Sequence, residues 1–398
     1  MRTSGISSKL GKVAVAEALF YVAFCLFVFK YLLDHTTFTD FFFVSVVALG
    51  KFIQTVTLML LVGKFISQRA SFFGWAAAGT LVLVGFVSWR ISGESWLFWL
   101  AMFVVCSEEI RLRPLAAIVL AVFSIMFVVT VAFAGAGVIE DTVRYRPGFV
   151  RHSLGFSHPN TFALVMLVIC VANSVLRFGK NPAPDILLIL LADIVGLAVA
   201  DSRTIVVMSL FQVLFLLLFY FVKTEAKKKI VLRVICIGIF TSAALSYYFM
   251  ACFDSANALH MMLNSALSSR LYLAHTYYSM QGLTMFGSSY EGFAHIYWEN
   301  GVSSAFVVDN AWCHLLLRFG VVPTFLFLFG LILLLRKIVK EVRWDALSFG
   351  LLLTLIYGVS EVFGIRFECN YFLYALGAEV LFQFANSKRR RSCKSLSS

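Results

Sequence analysis

Apolar runs of about 18–25 residues recur along nearly the whole chain, and they decide what it can fold into. Each is long enough to cross a hydrocarbon core of about 30 Å. No water reaches the backbone there, so each run must satisfy its N–H and C=O groups internally, as a helix. Composition agrees, with 61% of the 398 residues hydrophobic and only 14% charged. The sequence predicts an all-α polytopic membrane protein, with 1–398 as a single integral membrane domain.

Twelve spans are predicted, at 13–33, 42–62, 72–89, 95–108, 115–137, 160–177, 185–201, 203–222, 230–251, 309–335, 346–364 and 370–386. The fourth is short, and as a re-entrant segment it would change the count. Lysine and arginine orient the scheme, because short cytoplasmic loops retain positive charge. Segments 1–12, 63–71, 107–114, 177–184, 223–233, 336–345 and 387–398 hold 23 of the 33 Lys and Arg residues. The opposite side holds Arg90, Arg144, Arg146, Arg151, Arg203, Arg270 and Arg366, while Lys30, Lys51 and Arg318 fall within spans. Both termini are therefore expected in the cytoplasm, with the chain a multi-pass protein of the cytoplasmic membrane.

Other features narrow the class. The first run is too long for a signal-peptide core and no small-residue cleavage site ends it, so it reads as an uncleaved span. The net charge of +12 sits in short loops, where it reads as a topology determinant rather than a nucleic-acid face. The eight cysteines are scattered, mostly inside apolar runs, with no CxxC and no metal-type spacing, and are expected to be buried thiols. The segment 252–308, roughly 57 residues, is the one long loop and lies on the extracytoplasmic side between spans nine and ten. Its composition is not that of a disordered linker, and short membrane-surface helices over a cavity are expected there.

The outer side also carries an unusual cluster. Arg144-Tyr-Arg-Pro-Gly-Phe-Val-Arg-His-Ser-Leu-Gly-Phe-Ser-His-Pro-Asn160 places three arginines and two histidines in 17 residues. Arginine matches phosphate well, since its planar fork donates two parallel hydrogen bonds and stays charged. Arg144, Arg146 and Arg151 are candidate diphosphate ligands; the competing reading is that they snorkel to lipid headgroups. His158 is a candidate base or sugar hydrogen-bond donor. Pro159 and Asn160 also suit a helix start, with Asn160 as its N-cap.

Further candidates follow along the chain. Asp201-Ser202-Arg203-Thr204 joins two apolar runs with almost no linker, so Arg203 either pairs with Asp201 or binds an anion. Ser268-Ser269-Arg270 with His275 and Gly287 lies in the long loop, where Arg270 is a further phosphate candidate. Tyr272, Tyr277, Tyr278, Tyr290, Tyr297 and Trp298 either stack on sugar rings or form an interfacial aromatic belt. Asn310, His314 and Arg318 are four apart, a stripe on one helix face, behind Asp309, which suits a helix cap. Lys51 reads as a buried charge with Glu17 as partner.

No DxD pair in an outer loop, Walker loop, HExxH or GxSxG is present. The chain therefore does not read as an ATP-driven pump, a metalloprotease or a serine hydrolase. An enzyme built this way would rely on arginines for electrophilic assistance.

At these residues the chain resembles the O-antigen polymerase and ligase superfamily, the Wzy-type polysaccharide repeat-unit polymerases. The likeness lies in Arg151-His-Ser-Leu-Gly-Phe-Ser-His-Pro-Asn160, Ser202-Arg203-Thr204, Ser269-Arg270 with Phe286-Gly287, and Asp309-Asn310 with Gly320. The resemblance implies a metal-independent glycosyltransferase with no cofactor, acting on undecaprenyl-diphosphate-linked oligosaccharides at the outer face of the cytoplasmic membrane. It would serve capsule, exopolysaccharide or O-antigen synthesis, with membrane lipids, a flippase and a chain-length regulator as partners. It implies that Arg146, Arg151, Arg203 and Arg270 neutralise the departing diphosphate, and that His158 or His275 acts as base or orienter. His275 stands one residue further from Gly287 than the ligase pattern. Two alternatives are an O-antigen-ligase-like transferase and a transporter or flippase of lipid-linked sugars; a transporter should show inverted repeats and broken midplane helices, and none is evident in the sequence.

Overall fold

Helices form where the apolar runs lie. The computed structural model describes residues 3–41, 43–68, 71–146, 148–289, 298–299, 302–303 and 308–382, with the backbone alone for 3–14, 298–299 and 302–303. In chain order the first helices are α1 (Thr3–Asp34), α2 (Val46–Ser67), α3 (Phe72–Ser92), α4 (Trp96–Val105) and α5 (Leu112–Gly135). Then come α6 (Pro159–Leu176), α7 (Ala183–Ala200), α8 (Arg203–Phe221), α9 (Glu225–Cys252), α10 (Ala258–Ala266) and α11 (Arg270–Gln281). The last are α12 (Ala311–His314), α13 (Val321–Lys340) and α14 (Ala346–Tyr357).

Among the described residues nine helices are long and apolar enough to cross a membrane: α1, α2, α3, α5, α6, α7, α8, α9 and α13. The chain is a polytopic helical membrane protein. The other three predicted spans are shorter than expected. α4 has 10 residues, about 15 Å of helix. α14 has 12 residues and gives way to a single tight turn at Val362–Gly364. The twelfth run opens with a tight turn at Tyr371–Tyr374 and continues as a wide helical turn at Leu376–Leu381. The tenth is interrupted: α12 runs into a wide turn at Leu315–Phe319, and α13 starts only after Gly320.

The interruption has a visible cause. The Ser288 N–H donates to the Arg318 carbonyl at 3.2 Å, and the Val321 and Val322 N–H groups donate to the Thr284 and Met285 carbonyls. A segment of the long loop therefore completes backbone groups that a continuous helix would have satisfied itself. Gly287 (φ 94°) and Gly320 (φ 90°) make the approach possible, since a Cβ on Gly287 would lie 2.1 Å from the Arg318 oxygen. The predicted short helices of 252–308 are α10 and α11.

Among the described residues three two-stranded antiparallel pairs, β1–β2 (Asp40–Phe41, Val44–Ser45), β3–β4 (Val143–Arg146, Phe149–His152) and β5–β6 (Trp298–Glu299, Val302–Ser303), accompany the helices. None was expected from an all-α reading. Only β3–β4 is longer than two residues per strand.

The chain divides into two compact units. The first comprises Met1–Gln68, Glu109–Lys223 and Trp344–Gly350. α6 is its central helix, 67% buried against 22% for α2, and packs against α5, α7 and α8. α2 and α7 instead expose Phe52, Met59, Ile66, Leu187, Leu191 and Ile194, a surface suited to acyl chains rather than water. Lys51, read as a buried charge with Glu17 as partner, sits exposed near the start of α2. The second unit comprises Arg69–Glu108, Thr224–Arg343 and Leu351–Ser398. There α3 packs on α4 and α13, and α9 on α11, α12 and α13.

Candidate functional site

In the first unit the arginine cluster is built on the β3–β4 hairpin. Arg144 pairs with Arg151 and Arg146 with Phe149 across the strands. Directly opposed residues share a face and alternate residues return to it, so Arg144, Arg146 and Arg151 all lie on one face. Like charges in that arrangement repel one another, and nearby acceptors offset part of this. Arg146 Nη1 donates to the Asp201 carboxylate and to its carbonyl, each at 3.1 Å. Arg151, only 5% exposed, donates from Nε to the Ala200 carbonyl at 2.6 Å and from Nη2 to Asn160 Oδ1.

Asp201 serves this cluster through an unusual backbone. It ends α7 in the left-handed region, φ 41°, presenting both carboxylate and carbonyl to Arg146. Arg203 Nε lies 3.6 Å from the same carboxylate, while 79% of its side chain remains exposed. Two guanidinium groups, Arg146 and Arg203, thus meet one carboxylate, with Arg144 and Arg151 on the same hairpin face as Arg146. The surplus positive charge faces outward on Arg144 and Arg203, whereas Arg151 is fixed in place.

The Gly-Phe-Ser-His-Pro-Asn string is the scaffold of this arrangement. Gly155 (φ 86°) lies where a Cβ would meet the Ile139 side chain at 2.7 Å, and Phe156 is fully buried. His158, not Asn160, is the N-cap of α6: its Nδ1 accepts the Asn160 N–H at 3.0 Å, and Pro159 occupies the first helical position. Asn160 is instead inside the first turn, where its side chain meets Arg151. Burial first, then the positive charges of Arg151, Arg144 and Arg146, push the His158 imidazole down to about 4. His158 is therefore neutral at pH 7, with Nδ1 occupied and its proton on Nε2. That geometry makes it a hydrogen-bond donor rather than the base considered from the sequence.

Asp141 braces the same loop. Its Oδ1 accepts the Ser153 and Leu154 N–H groups at 2.9 and 2.7 Å, and its Oδ2 contacts His152 Nδ1 at 2.6 Å. Burial would raise this carboxyl, but the His152 hydrogen bond and the two backbone donors outweigh it and hold the group below its usual range.

The second unit places its candidates differently. Arg270, 8% exposed, lies between two carboxylates: Nη2 is 2.9 Å from Glu361 Oε1, and Nε is 3.4 Å from Asp309 Oδ2. The sequence reading made Arg270 a diphosphate ligand; its guanidinium instead meets two carboxyl groups of the chain itself. Asp309, read as either a substrate-binding residue or a helix cap, lies in this ion pair. Asn310 caps α12, accepting from the Trp312 and Cys313 N–H groups, and its Nδ2 donates to Ser246 Oγ and the Val359 carbonyl.

His314 and Arg318 share Glu94, at 3.4 and 2.9 Å. Burial would raise Glu94, but the His314 hydrogen bond and the charges of His314, Arg366 and Arg318 hold it at about 2, so it is ionised at neutral pH. Of the predicted stripe, Asn310 and His314 are buried and Arg318 half-buried, and the helix that was to carry all three ends at His314. His275 is tied to the scaffold, with Nδ1 2.9 Å from the Met250 carbonyl and Nε2 3.3 Å from Ser279 Oγ. Tyr277 is fully buried in a core with Met250, Ala274, Val308, Cys313 and Leu317, which removes it from the candidate sugar-stacking residues. Tyr290 and Tyr297 lie outside the described residues, as does the Trp298 side chain.

No family model matches the chain, and no characterised protein or solved structure matches it either. The class, a polytopic helical membrane protein, follows from the helices; the family resemblance rests on the motif residues themselves. Sequence reasoning missed Asp141, Glu94 and Glu361, the acids that hold these clusters together. It also missed the β3–β4 hairpin, although Val-Arg-Tyr-Arg-Pro-Gly-Phe-Val-Arg-His carries the alternation and Pro-Gly turn of one.

Proposed function

We propose that the chain is a polysaccharide polymerase that joins undecaprenyl-diphosphate-linked oligosaccharide repeat units on the outer face of the cytoplasmic membrane. The observation that carries this reading is the arginine face of β3–β4. Three guanidiniums on one side of a hairpin, with Asp201 joining Arg146 to Arg203, form a preorganised receptor for a multiply charged anion. An acceptor hydroxyl attacks the anomeric carbon of the donor sugar, the sugar–diphosphate bond breaks, and the hydroxyl proton passes to the departing diphosphate. As that bond breaks, charge develops on the departing diphosphate, where fixed cations stabilise the transition state more than the ground state. Arg144, Arg146 and Arg203 supply that charge, and Arg151 fixes the geometry of the receptor. His158 Nε2–H is the neutral donor beside them.

The orientation that puts this face outside comes from the distribution of Lys and Arg, and both termini are cytoplasmic on the same argument. The test is complementation of a strain lacking the gene. Arg151→Ala should insert normally yet lower chain extension by at least about 100-fold, leaving glycans with a single added unit. Arg151→Lys should not rescue it, because one ammonium cannot reproduce the fork that meets both Ala200 and Asn160. Polymer of normal length from Arg151→Ala would overturn the proposal. Lipid-linked units accumulating on the inner leaflet of the deletion strain would instead indicate a flippase.

A further inference from the structure

Within the second unit, the start of α9 and the end of α13 bound a groove of about 950 Å³. Its walls change character along its length. Ile237, Phe240 and Ile332 line the apolar part, and Lys229, Arg233, Arg336 and Lys340 line the other. Lys229 and Arg233 are four apart on α9, and Arg336 and Lys340 are four apart on α13, so each helix turns a like-charged pair into the groove. Such pairs destabilise the helices that carry them.

Neighbouring acids do not neutralise them. Glu379 also lines the groove, but it is bound by Lys337 and by Arg343, the latter at 2.9 Å. Glu341 is the one other carboxylate in the wall. Among the described residues none of the four cations has an ion-pair partner. A soluble anion would satisfy the charge and leave the apolar part bare, while a zwitterionic lipid would fill the apolar part and leave a net positive end.

We propose that this groove binds an anionic phospholipid, its phosphate between the two cation pairs and an acyl chain along Ile237, Phe240 and Ile332. Basic grooves between membrane helices bind such headgroups through the same combination of charge and apolar contact. The site lies in the second unit and does not depend on the proposed polymerase activity.

Native mass spectrometry on the delipidated full-length protein tests it, with dioleoylphosphatidylglycerol, dioleoylphosphatidylcholine and inorganic phosphate as probes. Phosphatidylglycerol should bind at least about tenfold more tightly than phosphatidylcholine, and the double variant Arg233→Gln/Arg336→Gln should lose about fivefold per charge removed. Both positions are exposed; should that variant fail to purify, Lys340→Gln alone carries the same test with about a fivefold loss. Ile237→Trp, which fills the apolar part, should also release the lipid. Equal binding of the two lipids, unchanged binding in the charge variants, or displacement of the lipid by millimolar inorganic phosphate would each overturn the proposal.

Discussion

Arg151 shows how a single residue is fixed by a local string and a distant backbone together. Its guanidinium meets Asn160 nine positions away and the Ala200 carbonyl 49 positions away. Beside it, His158 divides its two nitrogens between structure and chemistry. Nδ1 caps α6, so Asn, a good cap, can replace that function while removing the imidazole. The folded value of about 4 lies below the ordinary 6.5. Between those two values the unfolded chain binds a proton that the folded chain refuses, so His158 lowers stability as pH falls through that window. His158→Asn should therefore keep its pH 7 melting temperature and lose part of its decline between pH 6.5 and 4.5. Activity at pH 7 should fall roughly 10- to 100-fold, the cost of a hydrogen bond to a charged group. A wild-type activity profile with an acid limb at 6.5 that disappears in the variant would restore His158 as a base. The motif string and its arginines were legible because they are contiguous, as was Asp201 beside Arg203; the bond from Arg146 to Asp201 and the acids Glu94 and Glu361 were not, since those contacts span 55, 224 and 91 positions respectively.

At the level of elements, charge and turn chemistry override hydropathy in two places. The run 309–335 is apolar enough to read as one span, yet the chain breaks it at Gly320 and lets the loop around Gly287 take over its hydrogen bonds. Neither glycine alone announces this contact in the sequence, because the reason for each is the backbone of the other. Gly287→Ala tests it, since a Cβ 2.1 Å from the Arg318 oxygen and a left-handed φ both have to be relieved. The expected loss is at least about 2 kcal/mol, seen as a lower melting temperature and faster proteolysis between α11 and α12. An alanine variant with unchanged stability and cleavage would mean that the loop does not depend on this contact. The β3–β4 hairpin is the converse case, where period-two alternation was present but embedded in a chain dominated by helical runs. Its pattern became decisive only once the strand register put all three arginines on one face.

For the whole molecule, the nine long helices and the three short runs have to be reconciled with the charge pattern. Nine crossings would place the two ends of the chain on opposite sides. The Lys and Arg alternation demands an even number, with segments 1–12 and 387–398 together. α4 is the sharpest case. At about 15 Å it spans half a hydrocarbon core, but Arg90 precedes it and Arg111 and Arg113 follow it, on what the alternation makes opposite sides. If α4 turned back, all three would share one side and every later segment would invert, placing the arginine hairpin in the cytoplasm. Cys106 is buried just past its last turn, and a bilayer thins locally around a short crossing segment at modest cost. The same parity then applies to the runs after α13. Single cysteines at Ser95 and Glu109, in a cysteine-free background, should label from opposite sides with a membrane-impermeant maleimide, and one at Tyr145 should label with Ser95. Labelling of Ser95 and Glu109 from the same side would make α4 re-entrant and remove the topological basis for a polymerase acting outside the cell.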